Sequence, residues 1–467
     1  LRILLINPDV SDGRGYLSYN DGLFKRVLVN PSMTMPYIAA LTPPQHEVII
    51  RDETLGDDID PDAEVDLVGI TVVTQIARRA YDIAAAFRRR GRKVVLGGAH
   101  VTLIPKEALR YADSVVVGEA EEVWPQLLAD LESGCMKSVY QRDSLHDLRE
   151  LPTPRMELLR KRYKYVGVSM GQVKISRGCP YSCITCCVPT IYGSRYRFRP
   201  IDDVIREIEA LEDTVIYFPE DNVVGNPAYS KELFRRMIPL KKRWSSISSI
   251  LISSDLELLQ LARKSGCVGI YIGFETVSEE GLRDMGKIHN LKNDYREIVH
   301  RVREEGIVLT GGFLVGFDSD TPDTFKRIVD FVVETDLDIC QYYFVVPWPG
   351  TVFYDMLKSE GRLLDENWWL NDFYSQQVLY KPAKMTEEEM IRGFLYMVEE
   401  TYNVGKMIPR IYHGWFGKST SNGFSEKNLR DKYHHVLQSI STLVFNLAYR
   451  EVYMGQKSLF IERAGRA

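Results

Sequence analysis

Four cysteines crowd into one short stretch: Ser176-Arg177-Gly178-Cys179-Pro180-Tyr181-Ser182-Cys183-Ile184-Thr185-Cys186-Cys187. The first three have the spacing C-x3-C-x2-C. Thiolate is the standard ligand of iron–sulfur clusters, so Cys179, Cys183 and Cys186 suit three irons of a [4Fe–4S] cluster. The fourth iron is then open. A cluster closed by four cysteines only carries electrons, whereas an open iron also binds a molecule and reduces it. Two plainer readings compete, a structural zinc site and packed thiols. Zinc usually takes four ligands, often as two separated C-x2-C pairs, and no suitable second pair exists. Cys187 adjoins Cys186, so its side chain should point elsewhere, as a packed bystander. The other cysteines, Cys135, Cys267 and Cys340, are scattered and bring the total to an odd seven. In a reducing compartment such a cluster is a metal site sooner than a disulfide framework.

The rest of the composition narrows the class. A length of 467 residues allows roughly three domains. Charged residues make up 26% and hydrophobic residues 45%, the proportions of a soluble globular protein and not of a disordered or fibrous one. With 59 Lys+Arg against 64 Asp+Glu, the net charge of −5 argues against broad nucleic-acid binding, which needs a concentrated basic surface. The basic runs Arg88–Arg90 with Arg92-Lys93, and Arg235-Arg236 with Lys241–Arg243, read as solvated helix ends. They also suit an acidic electron donor. No apolar run is long enough for a membrane span. The first residues, Leu1–Pro8, read as a buried strand and not as an export signal, which leads to the expectation of a cytoplasmic protein.

The cysteines must be positioned by something, and the hydrophobic pattern says what. Over 1–135, apolar runs at Ile3–Ile6, Val48–Ile50, Leu67–Val72, Val94–Leu96 and Val115–Val117 show little alternation, as in strands buried on both faces. Helical stretches at Arg78–Arg90 and Glu121–Leu131 lie between and after them. This alternation predicts a parallel sheet wrapped by helices. Glycines end two strands, at Gly97-Gly98 and Gly118, where open α/β sheets bind ligands. Residues 136–170 are polar, contain Pro152 and Pro154, and read as a linker. Over 171–375, strands are expected at Val173–Ser176, Val215–Phe218, Ile247–Ser253, Gly269–Phe274, Val308–Val315 and Gln341–Val345, with a helix after each. Six βα repeats make a partial (β/α)6 barrel of the TIM type, whose chemistry belongs at the carboxyl ends of its strands. Residues 376–467 read as mainly helical and rich in aromatics, namely Tyr396, Tyr402, Tyr412, Trp415, Phe416, Tyr433, Phe445, Tyr449 and Tyr453, with Thr386 capping the clearest helix.

The cluster motif directly after a first barrel strand resembles the radical S-adenosylmethionine (SAM) superfamily. Further segments at strand ends are similar to its branch with an N-terminal cobalamin-binding domain: Tyr217–Asn222, Gly269–Thr276, Met285-Gly286-Lys287, Gly312–Phe317 and Pro347–Thr351. So are Val68–Thr74, Gly97–His100 and Val117–Glu121 in a Rossmann-like first region. The resemblance covers about residues 1–365. It implies a cluster whose open iron chelates SAM, reductive cleavage to a 5′-deoxyadenosyl radical, and cobalamin in the first domain.

The resemblance also implies contacts. Tyr181, Thr185, Glu220, Ser253, Gly273 and Glu275 are the expected SAM contacts. Glu220 and Ser253 would face the cluster from strand ends. Glu275 would accept from the ammonium or ribose, or pair with Lys287 at the barrel mouth, and Gly273 would let backbone come close. Thr185 departs from the aromatic residue usual before the third cysteine, which puts the adenine pocket in doubt. Thr71, Thr74, Gly97, Gly98, Gly118 and Glu119 are the expected cobalamin contacts. The axial-histidine motif Asp-x-His-x-x-Gly is absent from Asn7–Gly13, and His100 suits the groove for the nucleotide tail better than the cobalt.

The leading expectation is cobalamin-dependent C-methylation of an unactivated carbon, on a small-molecule or lipid-like substrate, with electrons from a flavodoxin- or ferredoxin-type donor. The alternative is a rearrangement, oxidation, ring-forming or carbon–carbon bond-forming radical enzyme of the same branch. A non-enzymatic iron–sulfur or B12-sensing module stands as a distant third. Nothing in the sequence selects a catalytic residue beyond the cluster or names the substrate.

Overall fold

The computed structural model describes residues 1–9, 31–142, 144–159, 164–165, 168–193, 195–371, 377–416 and 439–454. The first sheet has six parallel strands, β1 (Arg2–Asn7), β2 (Glu47–Asp52), β3 (Leu67–Thr71), β4 (Lys93–Gly97), β5 (Ser114–Val117) and β6 (Val139–Gln141), in the order β2-β1-β3-β4-β5-β6. All but the first residue of β1 and every residue of β3 and β5 is buried, which explains their unbroken aliphatic runs. Strand β6 falls inside the stretch expected as a linker. It pairs in parallel with β5 from Val115↔Val139 to Val117↔Gln141, and only Tyr140 of its three residues is buried, so it carries too little apolar pattern to be recognised.

The second sheet has seven strands. They are β7 (Lys164–Tyr165), β8 (Val168–Gln172), β11 (Val215–Phe218), β12 (Arg243–Ser248), β13 (Cys267–Glu275), β14 (Val308–Val315) and β15 (Ile339–Phe344), in sequential order across the sheet. Six are parallel and β7 is antiparallel, so the arrangement is the open six-strand barrel expected, with an antiparallel edge added. A separate two-stranded hairpin, β9 (Ser176–Arg177) with β10 (Arg197–Phe198), brackets the cysteine loop.

Two strands differ from the sequence pattern. The first barrel strand is β8, and not Val173–Ser176. The Ile175 N–H goes to the Glu220 carboxylate at 2.7 Å and Ser176 pairs with β10, so these donors leave the barrel ladder. The third is β12, and not Ile247–Ser253. Trp244, Ser246 and Ser248 are buried and Arg243, Ser245 and Ile247 are half-buried, a clean alternation disguised by serines. Ser246 is satisfied there by donating to the Phe218 carbonyl at 2.8 Å. Residues Leu251–Ser254 form a helical turn.

In β13 the helix-facing Ile270, Ile272 and Phe274 are buried while Gly269, Tyr271, Gly273 and Glu275 are not. The barrel lumen is therefore open along this strand, unlike the filled core of a closed barrel. A side chain at Gly312 would run into the Tyr271 hydroxyl, so the Tyr271 ring lies over the neighbouring strand β14.

The helix Glu387–Tyr402 starts with a capping box in which Thr386 and Glu389 exchange hydrogen bonds, as its sequence promised. Tyr402, Tyr449 and Tyr453 pack on the free edge of the barrel: Tyr402 donates to the Cys340 carbonyl, Tyr449 meets Gln341, and Tyr453 accepts from the Tyr342 N–H at 3.0 Å. These aromatics are core, whereas Tyr396 and Tyr412 are exposed. Tyr433 lies outside the described residues. Among the described residues no helix is long and apolar enough to cross a membrane.

Candidate functional site

The cysteine loop is held over the carboxyl ends of the barrel strands by its own backbone. The Ile184 N–H donates to the Met285 carbonyl at 3.0 Å, and the Ile184 carbonyl accepts from Phe353 N–H at 3.1 Å. One residue thus ties the loop to the segments after β13 and β15. Cys179, Cys183, Cys186 and Cys187 are all half-buried on this loop. Burial pushes all four thiols up, that of Cys186 to about 12; Lys287 opposes this at Cys179 and Cys183, while Asp221 adds to it at Cys179, Cys186 and Cys187.

Among the described residues no three Cys, His, Asp or Glu side chains converge on a point that could hold one metal ion, which is what structural zinc requires. A [4Fe–4S] cluster meets each thiolate at a separate iron. Cys183 lies within electrostatic reach of Cys179, and Cys186 within reach of Cys187 and Cys183, so the thiols gathered on this one loop fit that group.

Around the loop stand charged and aromatic side chains. Lys287 donates to Glu275 Oε1 and to the Gly273 carbonyl, both at 2.7 Å. Glu275 takes a positive φ of 68° at a bulge in β13, and a Cβ on Gly273 would overlap its carboxylate. The small residue at 273 therefore admits the Glu275–Lys287 pair. Tyr181 stacks on His289 with ring centroids 3.5 Å apart and planes 5° from parallel. Burial, reinforced by Lys287, lowers the His289 pKa to about 4.

Two expected SAM contacts sit elsewhere. Glu220 is fully buried, and its carboxylate is occupied by Ile175 N–H and the Ser176 hydroxyl, so it fastens the approach to the loop. Of the adjacent pair it is Asp221 whose charge reaches Cys179, Cys186 and Cys187, while Glu275 acts on Cys183. Ser253 is completely buried in the turn after β12, with its hydroxyl toward the Ile298 carbonyl. Thr185 is buried within the loop.

A cavity of about 570 Å³ lies between the carboxyl ends of the first sheet and the barrel. Thr71, Gly97, Gly98, Gly118 and Glu119 line it, with Val73, Tyr37, Lys174 and Arg177. Gly98 has φ +103°, and a Cβ there would lie 2.8 Å from the Val72 carbonyl oxygen. The cavity thus owes its shape to missing side chains. Thr74 and His100 are not in its wall. His100 is wholly buried behind it, with Nδ1 3.1 Å from the Thr74 hydroxyl and Nε2 3.1 Å from that of Tyr81. Glu107 closes this cluster and accepts from Tyr81 at 3.0 Å and from the Trp369 indole at 2.9 Å.

Comparison with known proteins agrees with both halves. Residues 173–332 match the model of the radical SAM superfamily and residues 25–128 that of the B12-binding domain. Bacteriochlorophyllide d C-8(2)-methyltransferase of Chlorobaculum tepidum is 30% identical over 354 residues, 72% of this chain and 78% of that protein. The chain belongs to the radical SAM superfamily, in the group with a B12-binding domain. The bacteriochlorophyllide d C-12(1)-methyltransferase of the same organism is 29% identical over 418 residues, covering 87% of this chain and 91% of the relative. In fold, the chain is similar to the radical SAM methyltransferase TsrM from Kitasatospora setae, solved with cobalamin and a [4Fe–4S] cluster: TM-score 0.61, 18% identity, 77% of this chain and 75% of the other.

It is therefore a radical SAM enzyme, with a [4Fe–4S] cluster, SAM and cobalamin as its cofactors. Sequence reasoning missed Arg177, Tyr37 and His289 in this enzyme, because single polar residues on loops have no period to betray them. Only the position of Arg177, two residues before the first cysteine, offered a signal.

Proposed function

We infer that this radical SAM enzyme methylates an unactivated carbon of a planar tetrapyrrole of the bacteriochlorophyllide kind. The observation that carries the reading is the shared wall: one cavity joins the B12-type sheet to the barrel that holds the cysteine loop. When bound, the cluster supplies the electron that splits SAM to a deoxyadenosyl radical, and cobalamin supplies the methyl group. Cys179, Cys183 and Cys186 hold the cluster in this reading. Lys287 and Glu275 present a cation and a carboxylate, the two charges needed to recognise the carboxylate and ammonium of a zwitterion. Gly97, Gly98 and Gly118 admit the corrin's bulk. Tyr271, half-buried on β13 and lying over β14, offers an aromatic surface of the kind a tetrapyrrole needs. Pro180 and Ser182 are exposed on the loop, giving a flavodoxin- or ferredoxin-type donor access near the cluster. A reducing cytoplasm suits such a donor and the cluster alike.

The test is turnover without oxygen. The purified full chain, loaded with cobalamin, receives SAM, a one-electron reductant and bacteriochlorophyllide. The expected result is 5′-deoxyadenosine together with a product heavier by one CH₂ unit. Deoxyadenosine with an unmethylated, altered product would overturn methyl transfer in favour of another radical reaction. Deoxyadenosine with untouched pigment would overturn the substrate class.

A further inference from the structure

The cofactor cavity and the cysteine loop belong to different parts of the chain, and buried carboxylates join them, Glu119 with the most contacts. Glu119 follows β5, at the end of the first sheet. Its Oε1 accepts from Arg177 at 2.8 Å and from Arg197 at 2.7 Å. Its Oε2 accepts from Arg197 at 3.1 Å and from the His146 N–H at 2.7 Å. The Glu119 side chain is only 8% exposed. Burial raises its pKa, but the Arg197 and Arg177 guanidiniums outweigh that and hold it below the usual carboxylate range.

The two arginines are cross-strand partners in the β9/β10 hairpin, Arg197↔Arg177. Like charges directly opposite one another destabilise a strand pair. A hairpin with two residues in each strand is weak by itself, and besides the Glu119 contacts it is held by Glu220 on Ile175 and Ser176 and by the Arg199 N–H on the Ile175 carbonyl. Glu119 lies between the two cations and turns repulsion into a bridge, while Glu121 takes the remaining reach of Arg177 at 2.5 Å. Two guanidiniums and two carboxylates then balance. Because β9 leads straight into Gly178-Cys179, whatever fixes the hairpin also fixes where the cluster loop sits relative to the cavity.

We propose that Glu119 is a positioning residue that sets the placement of the cluster loop against the cobalamin cavity, and not a cobalamin contact in its own right. The proposal rests on the assignment of the two cofactors above. Glu119 is isosteric with Gln, so Glu119→Gln removes the charge and keeps the volume. Two signatures are expected in the anaerobically purified full chain. Iron and sulfide content stay at the wild-type level, and amide hydrogen exchange of the hairpin quickens about tenfold. Methylated product formed per 5′-deoxyadenosine falls on the order of a hundredfold, as expected from a misplacement of about 1 Å between reacting groups. Arg197→Gln should reproduce both effects, and the double variant should be no worse than either single one.

Unchanged hairpin exchange in both variants overturns the proposal. So does an additive double variant, or loss of cobalamin absorbance in Glu119→Gln while the hairpin stays protected, which would make Glu119 a direct ligand. If Glu119→Gln does not fold, Arg197→Gln decides by the same two readouts. If the wild-type enzyme makes deoxyadenosine but no methylated product, the methyl-transfer reading fails, and the exchange data still decide the clamp.

Discussion

The two ends of the site are built by opposite means. The cavity at the first sheet is shaped by what is missing: Gly97, Gly98 and Gly118 leave the space. The barrel mouth is shaped by what is present: Lys287, Glu275, Asp221 and the Tyr181–His289 stack. A bulky, largely uncharged ring system is recognised through its outline, and a small zwitterion beside a redox centre through charge. The cavity should therefore break when atoms are added, and the mouth when they are taken away.

The largest effect belongs to the cysteines. Changing Cys179, Cys183 or Cys186 to Ala should abolish cluster binding, read as iron and acid-labile sulfide, and with it 5′-deoxyadenosine formation. Cys187→Ala should keep the cluster, since Cys187 stands outside the C-x3-C-x2-C spacing, at the start of the helix Val188–Tyr192. A cluster lost with Cys187 and kept without Cys186 would overturn the ligand set.

Next comes the cavity. Gly98→Val forces a side chain into a backbone at φ +103° and against the Val72 carbonyl. Strain of about 1–3 kcal/mol should lower the melting temperature, and cobalamin uptake, followed by its absorbance, should be lost. Iron content should not change, and a fall in iron would show that the two ends are not separable.

Lys287→Met tests the mouth by removal. It leaves the Glu275 carboxylate, 17% exposed, without its cation. Losing a charged hydrogen bond should cost about 1.5–3 kcal/mol in denaturant unfolding and raise the KM for SAM roughly tenfold, about 1.4 kcal/mol of binding. A normal KM would remove Lys287 from SAM recognition.

The smallest effect is in pH. His289 titrates at about 4 in the folded chain, below the ordinary histidine value of about 6.5. Between those values the unfolded chain binds the proton and the folded chain does not, so stability rises with pH across that window and falls as pH drops through it. An NMR titration of His289 in the cluster-free protein should show a neutral ring down to near pH 4. A midpoint near 6.5 would mean the stack on Tyr181 leaves the ring in water.

What the sequence made legible follows the same division. Aliphatic strands such as β3 and β5 announce themselves because burial on both faces leaves polar residues only at their ends, Thr71 and Ser114. The cysteine spacing is chemistry written locally, and needs no fold to be recognised. Strand β12 was hidden because its buried positions include serines satisfied by neighbouring carbonyls. Glu220 and Asp221 are adjacent, and no local rule says which of the two is swallowed by the loop. Thr74 and His100 follow strand ends as cavity residues should, but Glu107 and Trp369 draw them into a cluster behind the wall. Glu119 was expected at the cavity and lines it, but its partners Arg177 and Arg197 lie 58 and 78 residues further along. Contacts made at such range leave no pattern in one sequence.

The Trp369–Glu107 hydrogen bond spans 262 residues. During synthesis the first sheet leaves the ribosome long before Trp369 exists, and its buried Glu107 must wait with one partner missing. A chain released early, before residue 369, would lack the indole that covers Glu107, and its first domain should be a better substrate for proteases than the same domain in the finished protein. The indole thus works as a completion mark, closing the first domain only when the barrel behind it has been made.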